Sequence, residues 1–148
     1  MPKSVENLSD DDIAAWARLV RVSQTLLMQV ETGLKAAGFP PLPWYDALLE
    51  LKRAGAGGLR PFQLQERMLL AQYNLSRLVD RLVASGYVAR LPSTEDGRGQ
   101  ILNITKEGRA LLRRMWPTYR AEIQAHFAER LNKREIRDLG NILGKLRE

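Results

Sequence analysis

With 148 residues, a formal charge of +6 and no cysteine, the chain has the length of one domain able to bury roughly two-thirds of its unfolded surface. The missing thiols exclude disulfides, thiolate catalysis and cysteine-based redox sensing, and make a reducing cytoplasm the natural compartment. No apolar run approaches the roughly 20 residues of a membrane span, and the opening MPKSVENLSDDD lacks a signal-peptide core, so a soluble cytoplasmic protein without a membrane partner is expected. The charge is uneven: residues 1–58 carry 6 basic and 7 acidic side chains, residues 59–114 carry 10 and 5, and residues 115–148 carry 7 and 5. The basic excess in the middle stretch suits a surface that neutralises phosphates, although an acidic protein or an anionic membrane would also be attracted.

Ser9 before Asp10, Asp11 and Asp12 reads as an N-cap followed by acidic residues that favour the positive end of a helix dipole. Ile13, Trp16, Val20, Ser23, Leu27, Val30 and Leu34 then recur at alternating spacings of three and four, and Leu19, Leu26 and Met28 widen the apolar surface. A helix so patterned can contact two bodies, its own domain and a second subunit. Gly38, Pro40 and Pro41 end it. Pro43 opens a second helix to about Lys52, with Trp44, Ala47, Leu48 and Leu51 inward, and Gly55, Gly57 and Gly58 close that part of the chain. Trp16, Trp44 and Tyr45 read most simply as core aromatics, since large rings supply buried area.

Pro61 is suited to the first position of a short helix reaching about Arg67. After a turn at Leu69 to Ala71, a second helix is expected from near Gln72 to Gly86, a residue able to take the left-handed conformation that closes a helix. On a helical wheel Leu75, Leu78, Val79 and Leu82 form one stripe, with Tyr73, Arg77, Asp80 and Arg81 opposite and Asn74 and Ser76 flanking. One face packs, and the other is either merely solvated or reserved for a partner. The start of this helix carries no Ser, Thr or Asp cap if it lies among Leu70, Ala71 and Gln72.

Tyr87 to Leu91 and Gln100 to Ile104 are strand-like, and the link PSTEDGRG is a polar hairpin tip. Arg98 stands between two glycines, free to reach a phosphate or a narrow minor groove, unless it simply pairs with Asp96 on a mobile loop. Thr105 can cap a long helix carrying Leu111, Leu112, Met115, Trp116, Tyr119, Ile123, Phe127 and Leu131, with a kink expected near Arg113 to Pro117. Asn132 and Glu135 resemble a capping box for a last helix with Ile136, Leu139, Ile142, Leu143 and Leu146 on its apolar side. Gly140 and Gly144 make that helix marginal without a partner surface.

The runs LSRLVDRLVASGYVAR and EDGRGQILNITKEGRALL resemble the multiple-antibiotic-resistance regulator (MarR) family of bacterial transcription factors. That family's pattern joins a recognition helix ending in glycine, a wing with an Asp-x-Arg tip, and a strand leading into a Leu/Ile-Thr-x-x-Gly helix start. Here those elements are Arg77 to Gly86, Asp96 to Arg98 and Ile104 to Gly108, in that order. The resemblance implies a mainly α fold with a small β-wing: one MarR-like domain over residues 1–148, with a winged helix-turn-helix at 59–105 and dimerisation helices at 1–38 and 106–148. It further implies a homodimer whose end helices interlock across a two-fold axis.

On that reading the partner is double-stranded DNA with a near-palindromic operator, each lobe offering its recognition helix to successive major grooves about 34 Å apart. Asn74 suits adenine, Arg77 suits guanine, and Gln72 and Ser76 suit bases or phosphates. Tyr73 suits a sugar or a thymine methyl, and Arg81, a turn farther along, a phosphate. The resemblance puts Arg98 in the minor groove with Asp96 directing it; Arg90 at the wing base would serve phosphate or Asp96, and Asp80 needs a salt bridge with Arg77 or another basic residue. The resemblance also implies a repressor relieved by a small aromatic or phenolic ligand, for which Trp16, Trp44, Tyr45 and Trp116 are candidates. A winged-helix module that binds DNA without reading bases, or that binds protein, is the alternative. The single histidine, His126, has no neighbouring metal-ligand pattern, and no phosphate-binding glycine loop is present; catalysis, a cofactor and a metal are therefore not expected.

Overall fold

The computed structural model describes residues 7–92 and 99–147. Among them are six α-helices: α1 (Asp10–Ala36), α2 (Leu42–Ala54), α3 (Pro61–Arg67), α4 (Leu75–Ala84), α5 (Lys106–His126) and α6 (Lys133–Gly144), with strands β1 (Val88–Pro92) and β2 (Gln100–Ile104) between α4 and α5. The described chain divides into two compact units, residues 33–120 and residues 1–32 with 121–148.

The unit of residues 33–120 holds the apolar core. Leu34, Leu42, Leu48, Leu51, Leu64, Leu82, Leu102 and Met115 are fully buried, drawn from all five helices represented there and from the sheet. Each such side chain stabilises the fold by about 1.5–3 kcal/mol relative to its exposed state. Strands β1 and β2 pair antiparallel in the register Val88↔Ile104, Arg90↔Leu102 and Pro92↔Gln100. Leu59 adds a bridge on the other side of β2, exchanging backbone bonds with Leu102 at 3.0 and 2.8 Å. Asn103 Nδ2 donates to the Ala56 carbonyl at 2.9 Å, tying β2 to the 3₁₀ turn Gly55–Gly57. These contacts satisfy one edge of β2 that a two-stranded hairpin would leave open.

Local sequence explains where elements begin and stop. Thr105 Oγ1 accepts the Gly108 amide at 3.0 Å and donates to the Gly86 carbonyl at 2.6 Å, so one hydroxyl starts α5 and fastens it to the end of α4. Gly86 takes φ +82°, the left-handed closure expected of it. A Cβ on Gly108 would collide with the Tyr87 carbonyl, so the glycine in the Thr-x-x-Gly helix start serves a close approach of α5 to the wing. Pro117 lies inside α5, which is one continuous helix from Lys106 to His126.

In the second unit, Ser9 and Asp12 cap α1 reciprocally, at 3.1 and 3.0 Å, and Asn132 and Glu135 do the same for α6 at 2.9 and 2.8 Å. This unit is unlike the first in its surface. Trp16, which reads from sequence as a core aromatic, is 68% exposed, and Ile13, Val22, Met28, Ile142 and Leu146 are all more than half exposed. The physical reason is that α6 buries none of its side chains in this single chain. An apolar groove of about 620 Å³ runs between α1 and α6, lined by Trp16, Leu19, Val22, Phe127, Leu139 and Leu143 among others. No helix of the described residues is long and apolar enough to cross a membrane.

Candidate nucleic-acid interface

The helix-turn-helix is anchored from below. Leu64 fixes α3, and Met68, whose amide donates to the Leu64 carbonyl at 3.0 Å, ends it against the core. Pro61 occupies the first turn as expected, and the Arg60 amide donates to Gln63 Oε1 at 2.9 Å. Helix α4 then buries Leu75, Leu78, Val79 and Leu82 while Ser76, Arg77, Asp80 and Arg81 stay exposed, the division its heptad-like spacing predicts.

The recognition helix starts later than the sequence suggests. Leu75, not Gln72, is its first residue, and Asn74 is its cap: Asn74 Oδ1 accepts the Arg77 amide at 3.1 Å. A capping residue was therefore present, two positions beyond the segment where one seemed to be missing. The cap occupies one lone pair of the Asn74 amide oxygen and holds that side chain at the start of α4. Gln72 and Tyr73 lie in the irregular segment ahead of α4. Gln72 Nε2 turns back to the Ala71 carbonyl at 3.1 Å, whereas the Tyr73 ring is fully exposed.

Arg77 and Arg81 have no carboxylate partner among the described residues. Arg90 does have one: its guanidinium pairs with Asp80. That contact supplies the salt bridge Asp80 needs, from a basic residue other than Arg77. It couples β1 to α4 across the face on which the exposed arginines sit. Asp96 and Arg98, the wing-tip residues, lie outside the described residues.

The four aromatic ligand candidates separate. Tyr45 stacks on Trp116 with centroids 6.3 Å apart, and both meet Tyr119 edge-on at 5.1 and 5.9 Å. Trp44, half-buried, instead packs edge-on to Tyr87 at 6.2 Å, and Trp16 belongs to the groove of the other unit. Burial pushes the Tyr119 phenol above its ordinary value, with the charge of Asp46 adding to the effect; burial does the same to Tyr45, against a smaller lowering by Arg53. Tyr119 and Asp46 were missed as members of this neighbourhood. The i, i+3 spacing of Trp116 and Tyr119 was a usable signal for the first; nothing local marks the second. His126 sits on α5 with Nε2 2.9 Å from Glu122.

The MarR family model matches residues 37–99. A MarR-family transcriptional regulator of Streptomyces coelicolor, solved in complex with DNA, superposes with a TM-score of 0.85 over 95% of this chain and 91% of its own, at 25% identity. Over its middle stretch this chain is thus similar to the MarR family. Its relatives include an uncharacterised helix-turn-helix-type transcriptional regulator of Bacillus cereus, 26% identical over 131 residues, which are 88% of this chain and 85% of that protein. The multiple antibiotic resistance protein MarR of Salmonella typhimurium is 26% identical over 91 residues, 62% of this chain. The matched stretch spans 63% of that Salmonella protein. A winged helix-turn-helix like that of the Streptomyces regulator is thus the frame that holds α4 and the β1–β2 wing side by side.

Proposed function

We propose that this chain is a MarR-family, sequence-specific double-stranded DNA-binding transcriptional regulator that works as a homodimer. The observation that carries the proposal is the exposed face of α4, where Ser76, Arg77 and Arg81 stand clear of the core with Tyr73 just ahead of them. Arginine at such a position can pair bidentately with guanine, and an arginine one turn farther along reaches the phosphate backbone. The net charge of residues 59–114, where basic side chains outnumber acidic ones two to one, favours a polyanion. The complex with DNA described for the Streptomyces relative supports the same partner, and Arg98 with Asp96 is proposed as the minor-groove contact.

The second subunit is proposed to cover α1 and α6, whose apolar side chains include Trp16, Val22 and Ile142, more exposed than a lone soluble chain favours. Repression relieved by a small aromatic or phenolic anion completes the proposal, with Tyr45, Trp116 and Tyr119 as the contacts, because these three rings already meet. A tenfold loss of DNA affinity requires only about 1.4 kcal/mol of difference in ligand affinity between the two states.

A footprint on the DNA flanking the protein's own coding region tests the reading. The expected result is protection of a near-palindrome in two patches one helical turn apart, lost in Arg77→Ala. Uniform coating of every duplex, with a steep salt dependence and no preferred sequence, would instead identify an architectural module.

A further inference from the structure

The segment from Met68 to Tyr73 joins α3 to α4 without regular structure, yet it decides where the recognition helix begins. Its two ends are accounted for locally, α3 by the Met68 amide on the Leu64 carbonyl and α4 by the Asn74 cap. Its middle is held from elsewhere. Asp46, on α2 and only 7% exposed, accepts the Leu69 amide on one carboxylate oxygen at 3.0 Å and the Leu70 amide on the other at 2.8 Å. Asp46 is the buried charged side chain among the described residues.

A buried carboxylate is a costly way to stabilise a fold, because removing its charge from water opposes folding and an apolar side chain of similar volume would avoid that loss. What a carboxylate supplies and an apolar group does not is a pair of acceptors at fixed separation, able to pin two successive amides. We propose that Asp46 is a positioning residue for DNA recognition: by clamping Leu69 and Leu70 to α2 it sets the height and rotation at which Tyr73, Ser76 and Arg77 meet a duplex. The inference rests on the DNA-binding reading above.

The groups that act on this carboxylate are Glu50 and Arg53 from α2, Tyr119 from α5 and the two amides of the turn. Burial raises the Asp46 carboxyl above the ordinary aspartate value, the Leu69 and Leu70 amides pull it back, and Glu50 and Arg53 act in opposite directions. A carboxyl whose value is raised in the folded state contributes stability that is present below the unfolded value and lost as pH rises through the folded one. Protonating Asp46 therefore does not loosen the fold through this group, but it removes one acceptor from the turn. Recognition and global stability consequently respond in opposite senses to the same proton.

The test uses the full chain, a duplex selected by the wild-type protein from a random-sequence pool, and an unrelated duplex of the same length. Asp46→Asn keeps the volume but leaves one acceptor. It should bind the selected duplex about tenfold more weakly, keep its affinity for the unrelated duplex within about twofold, and unfold at nearly the wild-type temperature. The Leu69 and Leu70 amides should exchange faster while that of Leu78 does not, and Asp46→Glu should recover part of the affinity. In the wild type, the shifts of both amides and the affinity for the selected duplex should follow one pH midpoint, a measurement that stands even if the variant does not fold. Unchanged amide exchange, or losses on both duplexes that track the thermal midpoint, would overturn the role of Asp46. A wild-type protein that selects no sequence would overturn the DNA reading itself.

Discussion

Gly108 shows how a single hydrogen atom can carry a family motif. The position is buried in the first turn of α5, its amide is bound by Thr105, and the Tyr87 carbonyl stands where a side chain would begin. Gly108→Ala should therefore lower stability by about 1–3 kcal/mol, as overpacked sites do, although alanine is the better helix former in isolation. Thermal unfolding followed by circular dichroism measures this, and an unchanged or raised midpoint would contradict the close contact. The phenols of Tyr45 and Tyr119 make a second residue-scale test. Both are raised above the ordinary tyrosine value, chiefly by burial, so ionising them is harder in the folded chain than in the unfolded one. Their contribution to stability is complete below about pH 10 and is lost as pH rises through the folded values. An alkaline titration at the tyrosinate absorbance should show two late phenols that titrate normally once the chain is unfolded, and Tyr119→Phe should remove one of them.

Between elements, the pairing of Asp80 with Arg90 joins the recognition helix to the wing. Its side chains are 62% and 35% exposed, so the pair adds little to stability, about 0–1 kcal/mol as exposed ion pairs do. Its consequence is electrostatic: it neutralises a guanidinium and a carboxylate on the face where α4 presents Arg77 and Arg81. Asp80→Asn should free Arg90, leave the unfolding midpoint within a degree or two, tighten binding to arbitrary duplex, and raise the salt slope by about one unit. A slope unchanged by the substitution would mean Arg90 does not reach a phosphate even when released. This pair was only half legible in the sequence, which required a cation for Asp80 without saying which, since the partner lies ten residues away on a different element. The faces of α4, the strand pair, and the caps of α1, α5 and α6 were legible because they depend on residues within one or two turns of each other. The start of α4 was not: Gln72 and Tyr73 continue the polar pattern backwards, whereas the Asn74 side chain caps the helix at Leu75. Long-range partners, like the bridge from Leu59 to Leu102, leave no periodic trace.

At the scale of the whole chain, the two units differ in how they treat apolar surface. Residues 33–120 close around a core of fully buried leucines, whereas α1 and α6 leave Trp16, Val22, Met28 and Ile142 more than half exposed, as is Leu146 just beyond α6. The three-and-four spacing of α1 already suggested more apolar surface than one body uses, but burial of Trp16 could not be read from the pattern, because the pattern does not say which copy of the chain supplies the cover. A helix with a capping box and an apolar stripe, yet interrupted by Gly140 and Gly144 and burying nothing in its own chain, gains its stability from a partner surface. The proposed homodimer provides that surface, and the dependence is testable by charge. Leu143→Glu places a carboxylate in the apolar groove lined by Trp16 and Leu139, where desolvation costs several kcal/mol unless the groove stays open to water. Sedimentation equilibrium should then report a monomer for the variant and a dimer for the wild type at the same concentration. The isolated lobe should keep its near-ultraviolet signature from Tyr45, Trp116 and Tyr119, because that cluster lies within residues 33–120. Affinity for a two-patch site should fall steeply while weak binding to arbitrary duplex persists, since each lobe alone retains its arginines but loses the fixed distance to the other. A wild-type chain that sediments as a monomer, or a Leu143→Glu variant that remains dimeric, would remove α6 from the interface.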